Sequence, residues 1–186
     1  MKAISILLRA IFGGVFIFSG FVKAVDPWGT AYKIEEYIAV FGMNWLTDAI
    51  SFLPITLSIL LSSLEFMIGV LIFFGFFSKL SKYSATIIMG FFTILTFIDA
   101  LTNKVDDCGC FGDAIKLTNW ETFWKNIVLD VILVGIILLE RKMELSVSKV
   151  NSKLLTSVFG IFIIFFSIYS AVYEPVIDFR AWKIGN

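Results

Sequence analysis

The chain has 186 residues, of which 59% are hydrophobic and 21 are phenylalanine, and its mean hydropathy is +0.92. Soluble globular domains are far less apolar, so the composition excludes that class and predicts an integral membrane protein in a lipid bilayer. The 15 basic and 15 acidic residues cancel, which predicts no nucleic-acid partner. With no histidine and only two cysteines, a complete metal site within the chain is not expected.

Five apolar stretches are long enough to cross a hydrocarbon core of roughly 30 Å. They cover residues 4–22, 52–77, 83–103, 118–139 and 154–172. No convincing small-residue cleavage site follows the first stretch, which therefore predicts a retained helix and not a signal peptide. Thr118 and Glu121 have the S/T-x-x-E form of a capping box, which places the start of the fourth helix at about residue 118.

A segment of mixed character lies between the first two spans. Its apolar side chains recur at helical spacing with charged residues between them: Trp28, Tyr32, Ile34, Tyr37, Ile38 and Phe41. This pattern predicts a helix lying in the outer membrane interface, and an ordinary loop with aromatic anchors is the alternative.

The expected fold class is therefore all-α integral membrane, divided into three parts. Residues 1–140 form a four-helix membrane domain with a cysteine loop, residues 141–172 a loop and a fifth membrane helix, and residues 173–186 a short tail. The N-terminus and the two short connections on its side carry seven basic residues and two acidic ones. This bias predicts a cytoplasmic N-terminus, with the cysteine loop and the C-terminus in the bacterial periplasm.

The cysteine loop is the strongest chemical signal. Cys108 and Cys110 flank Gly109, and glycine reaches the positive φ that so short a ring requires, as does Gly112. A disulfide that closes a very short loop stabilises a fold little, whereas strained, exposed disulfides tend to be labile or catalytic. We therefore predict that Cys108 and Cys110 are catalytic, supported by Gly109, Phe111 and Gly112. A simple disulfide, inert thiols and a metal site shared with a partner remain alternatives.

The charges around the cysteines leave the direction of electron flow open. Asp106, Asp107 and Asp113 disfavour a thiolate, and only Lys104 and Lys116 oppose them. Acidic surroundings favour the oxidised pair, whereas strain in the ring favours the reduced pair.

Four charged residues lie within or near the ends of the spans: Arg9, Glu65, Asp99 and Asp130. Because charge inside a membrane is costly, each is expected to face the bundle interior or to find a partner. Arg9 and Glu65 lie at similar predicted depths, so we expect them to form an ion pair. Such a pair could serve helix packing alone. Alternatively, the three carboxylates could form a proton route or a polar patch beside a quinone.

Small residues share a face on each of the first two spans. The first face holds Arg9, Gly13, Phe16, Gly20 and Lys23, and the second holds Ser58, Ser62, Glu65 and Gly69. Small residues let membrane helices approach closely, so we expect these two faces to pack together.

The chain resembles the DoxX-like superfamily, and within it the branch that includes MauE. The resemblance is carried by Arg9-x-x-x-Gly13, Ser19-Gly20-Phe21-Val22-Lys23, Glu65-x-x-x-Gly69 and Cys108-Gly109-Cys110-Phe111-Gly112. It covers residues 6–139 and implies a four-helix membrane bundle associated with periplasmic thiol redox chemistry. The fifth span and the tail depart from the family pattern.

The function expected from these observations is thiol–disulfide exchange in the inner membrane. Cys108 and Cys110 would exchange with a periplasmic thiol or disulfide protein, as a component of a thiol–disulfide oxidoreductase that supports the maturation of periplasmic proteins. The residues establish no cofactor, and a quinone is the cofactor that would be compatible with them. The alternative is a non-enzymatic scaffold that docks a subunit of a membrane complex through its loops and tail. A transporter is less favoured, because no inverted repeat is visible.

Overall fold

The computed structural model describes residues 2–103, 105, 109–115, 117–140 and 149–173. Its elements are α1 (Lys2–Val25), α2 (Pro27–Val40), α3 (Asn44–Ala49), α4 (Leu53–Phe74), α5 (Ser78–Thr102), a short extended segment β1 (Cys110–Asp113), α6 (Asn119–Glu140) and α7 (Lys149–Tyr173). Among the described residues, α1, α4, α5, α6 and α7 are long and apolar enough to cross a membrane. The predicted all-α membrane architecture and its five spans are confirmed.

Local sequence sets the helix ends. Asp26 caps α2 by accepting a hydrogen bond from the Gly29 amide at 3.1 Å, and Pro27 follows as the first helical residue. Gly75 ends α4 in the left-handed conformation, with φ of 71°. The second span therefore ends at residue 74 and not at 77 as predicted. The third begins at residue 78 and not at 83.

The predicted capping box is present at the start of α6. The Thr118 amide donates to Glu121 Oε2 at 2.9 Å, and the Glu121 amide donates to Thr118 Oγ1 at 3.3 Å. The segment after the first span is also helical, as predicted, and forms α2. The short helix α3 was not predicted.

The two small-residue faces of α1 and α4 pack together as expected. A Cβ atom on Gly20 would lie 2.4 Å from the Phe66 nitrogen, and one on Gly69 would lie 2.6 Å from the Ile17 nitrogen. A Cβ atom on Gly13 would lie 2.8 Å from the Gly69 oxygen. The backbones of α1 and α4 therefore meet closely enough to exclude any side chain at these positions.

Apolar side chains from α1, α4, α5 and α6 form the main core. Its buried members are Phe12, Phe16, Ile68, Ile72, Ala85, Met89, Leu129, Leu133 and Ile136. The fifth span, α7, packs outside this bundle against α1 and α4, where Ile163 is buried with Phe66 and Val70. The Trp28 indole of α2 also donates to the Ala171 carbonyl of α7 at 2.9 Å.

Candidate functional site

The cysteine segment, residues 109–113, begins with a tight turn. Gly109 and Gly112 have φ of 63° and 54°, and the Gly112 amide donates to the Gly109 carbonyl at 2.9 Å. The prediction that both glycines adopt positive φ is confirmed. Cys110 is half-buried, whereas Cys108 lies outside the described residues, as do its neighbours Asp106 and Asp107.

A buried polar cluster holds this segment against α1 and α4. We call it the Lys23 cluster, and it consists of Ser19, Lys23 and Glu65. The Lys23 ammonium donates to both Glu65 carboxylate oxygens, at 2.6 and 2.7 Å. Ser19 Oγ lies 2.7 Å from Glu65 Oε2 and donates to the Cys110 carbonyl oxygen at 2.6 Å. The Ser19 hydroxyl thus connects the buried ion pair with the backbone of the cysteine segment.

The burial of the Lys23 cluster makes its pairing important. The side chains of Lys23 and Glu65 are only 5% and 2% exposed. Removing one member of a buried pair leaves an uncompensated charge and is strongly destabilising. The close contact of Gly20 with α4 brings the helix that carries Ser19 and Lys23 within reach of Glu65.

Aromatic and basic side chains cover the rest of the segment. The Lys125 ammonium of α6 lies 4.4 Å from the centroid of the Phe111 ring, in a cation–π contact. Phe18 of α1 packs on the same ring, with centroids 5.6 Å apart. Phe111 thus packs between α1 and α6.

A large apolar cavity opens beside Cys110. Its volume is about 540 Å³, within the range of small-molecule sites. Helices α2, α4 and α5 supply most of its lining, including Ile34, Leu57, Leu61, Phe91, Ile94 and Ile98. Its polar lining includes Lys23, Lys33, Tyr37 and Cys110. The cavity could therefore hold a lipophilic molecule next to the cysteine segment.

The predicted ion pair between Arg9 and Glu65 is wrong. Arg9 instead donates to the carbonyls of Ile72 at 2.9 Å and Phe73 at 3.3 Å, and its guanidinium lies 3.7 Å from Glu140. Gly13 packs against Gly69 in antiparallel helices, so one turn back along α1 places Arg9 at the end of α4, well past Glu65.

Glu140 pairs with two cations, Arg9 and Lys82, at the end of the bundle opposite the cysteine segment. Lys82 Nζ donates to its Oε2 at 2.9 Å, and the Ser78 hydroxyl donates to the same oxygen at 3.3 Å. Together with Arg9, these contacts tie α1, α5 and α6 at one end.

The other two predicted intramembrane carboxylates serve separate helix contacts. Asp99 of α5 accepts a hydrogen bond from the Tyr37 hydroxyl of α2. Asp130 of α6 accepts one from Thr93 of α5 at 2.7 Å. Neither of these two bonds reaches the Lys23 cluster.

In the comparison with protein-family models, the model described as methylamine utilisation protein MauE matches residues 1–139. The chain belongs to the MauE family. Neither the comparison with curated proteins nor that with solved structures finds a match.

The MauE region corresponds to α1 through α6, together with the cysteine segment and the Lys23 cluster. It confirms the branch that the sequence resembles, a multi-pass membrane protein family named for methylamine utilisation. Helix α7 lies beyond the matched residues.

The sequence analysis did not predict that Glu65 pairs with Lys23 and Ser19 in this MauE chain, although two features of the sequence indicated these partners. Lys23 shares a helical face with Gly20 and Gly13, the face expected to meet α4, which could have paired Lys23 with Glu65. Ser19 belongs to the same short motif. No comparable signal pointed to Tyr37 as the partner of Asp99.

Proposed function

We propose that this protein is a thiol–disulfide exchange protein of the bacterial inner membrane. Cys108 and Cys110 exchange with a periplasmic thiol protein and thereby support the maturation of periplasmic proteins. The observation that carries the proposal is the position of Cys110, which lines the apolar cavity while Ser19 of the buried cluster holds its carbonyl.

The charge near the segment supports thiol reactivity. Exchange requires a thiolate that attacks a disulfide sulfur, and nearby positive charge favours the thiolate. Lys125 lies against Phe111, the residue next to Cys110, and supplies such a charge. The stem of Lys33 of α2 lies close to Gly109, where a Cβ atom would be 3.2 Å from its Cγ, while its ammonium pairs with Glu36 at 3.4 Å.

We further propose that the apolar cavity takes a quinone as the electron acceptor. Its volume and its predominantly apolar lining suit a lipophilic ring. A quinone bound there supplies an acceptor for the two electrons and two protons that a dithiol releases. Leu61→Trp should fill the cavity and weaken the binding of decylubiquinone, which is measured by the quenching of tryptophan fluorescence. Ile164→Trp, on the exposed face of α7, is the matched control.

Thiol labelling tests the location and redox state of the cysteines together. Right-side-out spheroplasts that express the full chain are treated with a membrane-impermeant maleimide, before and after reduction. We expect labelling from outside, increased by reduction, and none in the Cys108→Ser/Cys110→Ser variant. Labelling confined to inverted vesicles would contradict the periplasmic placement. Unchanged maturation of periplasmic disulfide proteins in the double variant would contradict the exchange function.

The alternative function is a scaffold that holds a periplasmic or membrane partner without thiol chemistry. The surface around α3 supports it, since Trp45 and Phe52 are each 66% exposed. A scaffold predicts a co-purifying partner that the cysteine-free variant retains. Trapping of a mixed disulfide by a single-cysteine variant would favour exchange instead.

A further inference from the structure

Part of the lining of the apolar cavity consists of exposed apolar side chains. Ile94 and Phe91 of α5 are 65% and 57% exposed, and Leu57 of α4 is 38% exposed, although all three line the cavity. Both helices are long and apolar enough to cross a membrane, so their exposed apolar side chains face the hydrocarbon of the bilayer. The cavity therefore opens sideways to the lipid, between α4 and α5.

The opening lies in the half of the membrane nearer the cysteine segment. Phe91 precedes the end of α5 at Thr102 by about 16 Å, at 1.5 Å per residue. Because the hydrocarbon core is roughly 30 Å thick, the cavity extends from near this end of α5 to about the middle of the bilayer. The cysteine segment follows the same end of α5. A molecule dissolved in this leaflet can thus reach the cavity without passing through water.

Helix α2 covers the cavity at the membrane surface. Its 14 residues are too few to cross the bilayer, and it lies between the end of α1 and the start of α4, at the same end of the bundle as the cysteine segment. Ser58 of α4 donates to the Pro27 carbonyl of α2 at 2.7 Å, and the Tyr37 hydroxyl of α2 donates to Asp99 of α5. These bonds join α2 to both helices that flank the opening.

A buried part of the cavity lining carries a hydroxyl without a hydrogen-bond partner. Thr30 of α2 lines the cavity and is buried, and none of the described residues forms a hydrogen bond with its Oγ1. Buried hydroxyls in proteins are normally hydrogen-bonded. The Lys23 ammonium, which also lines the cavity, is already bonded to Glu65. Thr30 therefore marks where a polar atom of a bound molecule would be stabilised.

We infer that the cavity takes its quinone from the bilayer through the opening between α4 and α5, with the ring toward Thr30 and the apolar chain extending past Ile94. The inference rests on the proposed function, which assigns a quinone to this cavity. A ring carbonyl accepts the hydrogen bond that Thr30 lacks, and the chain stays in contact with lipid.

A phospholipid suits this geometry less well than a quinone. Its charged head group must stay in water, because burial of an unpaired charge is costly. Helix α2 covers the end of the cavity at the membrane surface, where that head group would lie. A quinone ring is small and uncharged, so it can lie beneath α2.

Photolabelling with a quinone that carries its reactive group at the end of the chain tests the route. The full chain in phosphatidylcholine nanodiscs is irradiated with decylubiquinone that bears a terminal diazirine, and the adducts are located by mass spectrometry. We expect adducts in residues 57–61 and 91–98 that an excess of unlabelled decylubiquinone removes. Removable adducts confined to α2 or to α7 would overturn the route and the orientation.

A phosphatidylcholine with a diazirine on its acyl chain serves as the second arm of this experiment. Its adducts in residues 57–61 and 91–98 should decrease when decylubiquinone is added, because both chains compete for the same opening. Adducts there that decylubiquinone does not decrease would show that the opening holds a lipid chain, and the inference would be overturned.

A bulkier side chain at the opening should obstruct the chain of the quinone. Ile94→Trp should reduce the yield of removable adducts about tenfold, since overpacking of an apolar site has costs of that order. Ile87→Trp is the matched control, because Ile87 lies two turns earlier on the same face of α5, is similarly exposed and lies outside the cavity lining. Equal yields from the two variants would contradict entry between α4 and α5.

The position of the ring is tested by removing the hydroxyl of Thr30. Thr30→Val should raise about fivefold the decylubiquinone concentration that halves labelling, through loss of one hydrogen bond. Thr56→Val is the control, because the exposed Thr56 hydroxyl donates to the Phe52 carbonyl of its own helix turn. Equal values for the two variants would contradict the ring position.

The same data separate this inference from the proposed function. If decylubiquinone removes no adduct from the wild-type chain, the quinone site itself fails. If decylubiquinone competes but the adducts lie away from α4 and α5, the quinone site stands and only the route and orientation are overturned.

Discussion

Replacing Gly20 by alanine should separate α1 from α4. The new Cβ atom would lie 2.4 Å from the Phe66 nitrogen and 2.7 Å from the Ser62 carbonyl oxygen. Both atoms belong to the backbone of α4 and cannot turn aside. Ordinary van der Waals contact begins at 3.4 Å, so the helices must move apart locally by about 1 Å. Overpacking of this kind costs about 1–3 kcal/mol, and we expect a loss of about 2 kcal/mol in the free energy of unfolding.

The assay is equilibrium unfolding in mixed micelles of dodecyl maltoside and dodecyl sulfate, followed by circular dichroism. Gly14→Ala is the matched control, because a Cβ atom on this residue of the same helix meets nothing within 4 Å. The control should unfold at or above the wild-type detergent fraction. Equal stability of Gly20→Ala and Gly14→Ala would refute the close packing of α1 on α4.

Other contacts give predictions for the same unfolding assay. Glu140→Gln should lower the free energy of unfolding by about 3 kcal/mol, because it leaves two buried or half-buried cations without their carboxylate. Glu36→Gln, whose ion pair is much more exposed, should lower it by less than about 1 kcal/mol. Equal effects of the two variants would contradict the role of burial. Thr118→Ala should cost about 1 kcal/mol through loss of the cap on α6, and no change would show that the cap contributes nothing. Trp28→Phe removes the bond to the Ala171 carbonyl and should raise hydrogen exchange in the last turns of α7, with α5 unaffected as the internal control.

The spans were predictable because hydrophobicity and length act locally. Each helix needs only its own apolar residues to cross the membrane, so the structure reproduces all five spans. The capping box and the glycine turn were predictable for the same reason, since each depends on a few neighbouring residues. The packing of α1 on α4 was predictable from Gly13, Gly20 and Gly69, because residues without side chains mark where helices approach.

The partners of the buried charges were not predictable, because they depend on the register between helices and on the reach of long side chains. A shift of one turn decides whether Arg9 meets Glu65 or the end of α4. Lys23 lies just beyond the end of the first predicted span, yet the structure buries it, because its long side chain reaches Glu65. The apolar cavity depends on how α2 lies against α4 and α5, which no single stretch of sequence encodes.

The bond between the Ser19 hydroxyl and residue 110 is made to a main-chain oxygen. Such an anchor does not depend on the side chain at that position, so the segment should keep its place when Cys110 is exchanged for another residue. The backbone at position 110 should therefore stay in place when the side chain is changed. A selenocysteine there would change the redox potential of the pair, and a nitroxide spin label would report its depth in the bilayer, with the surrounding protein left in register.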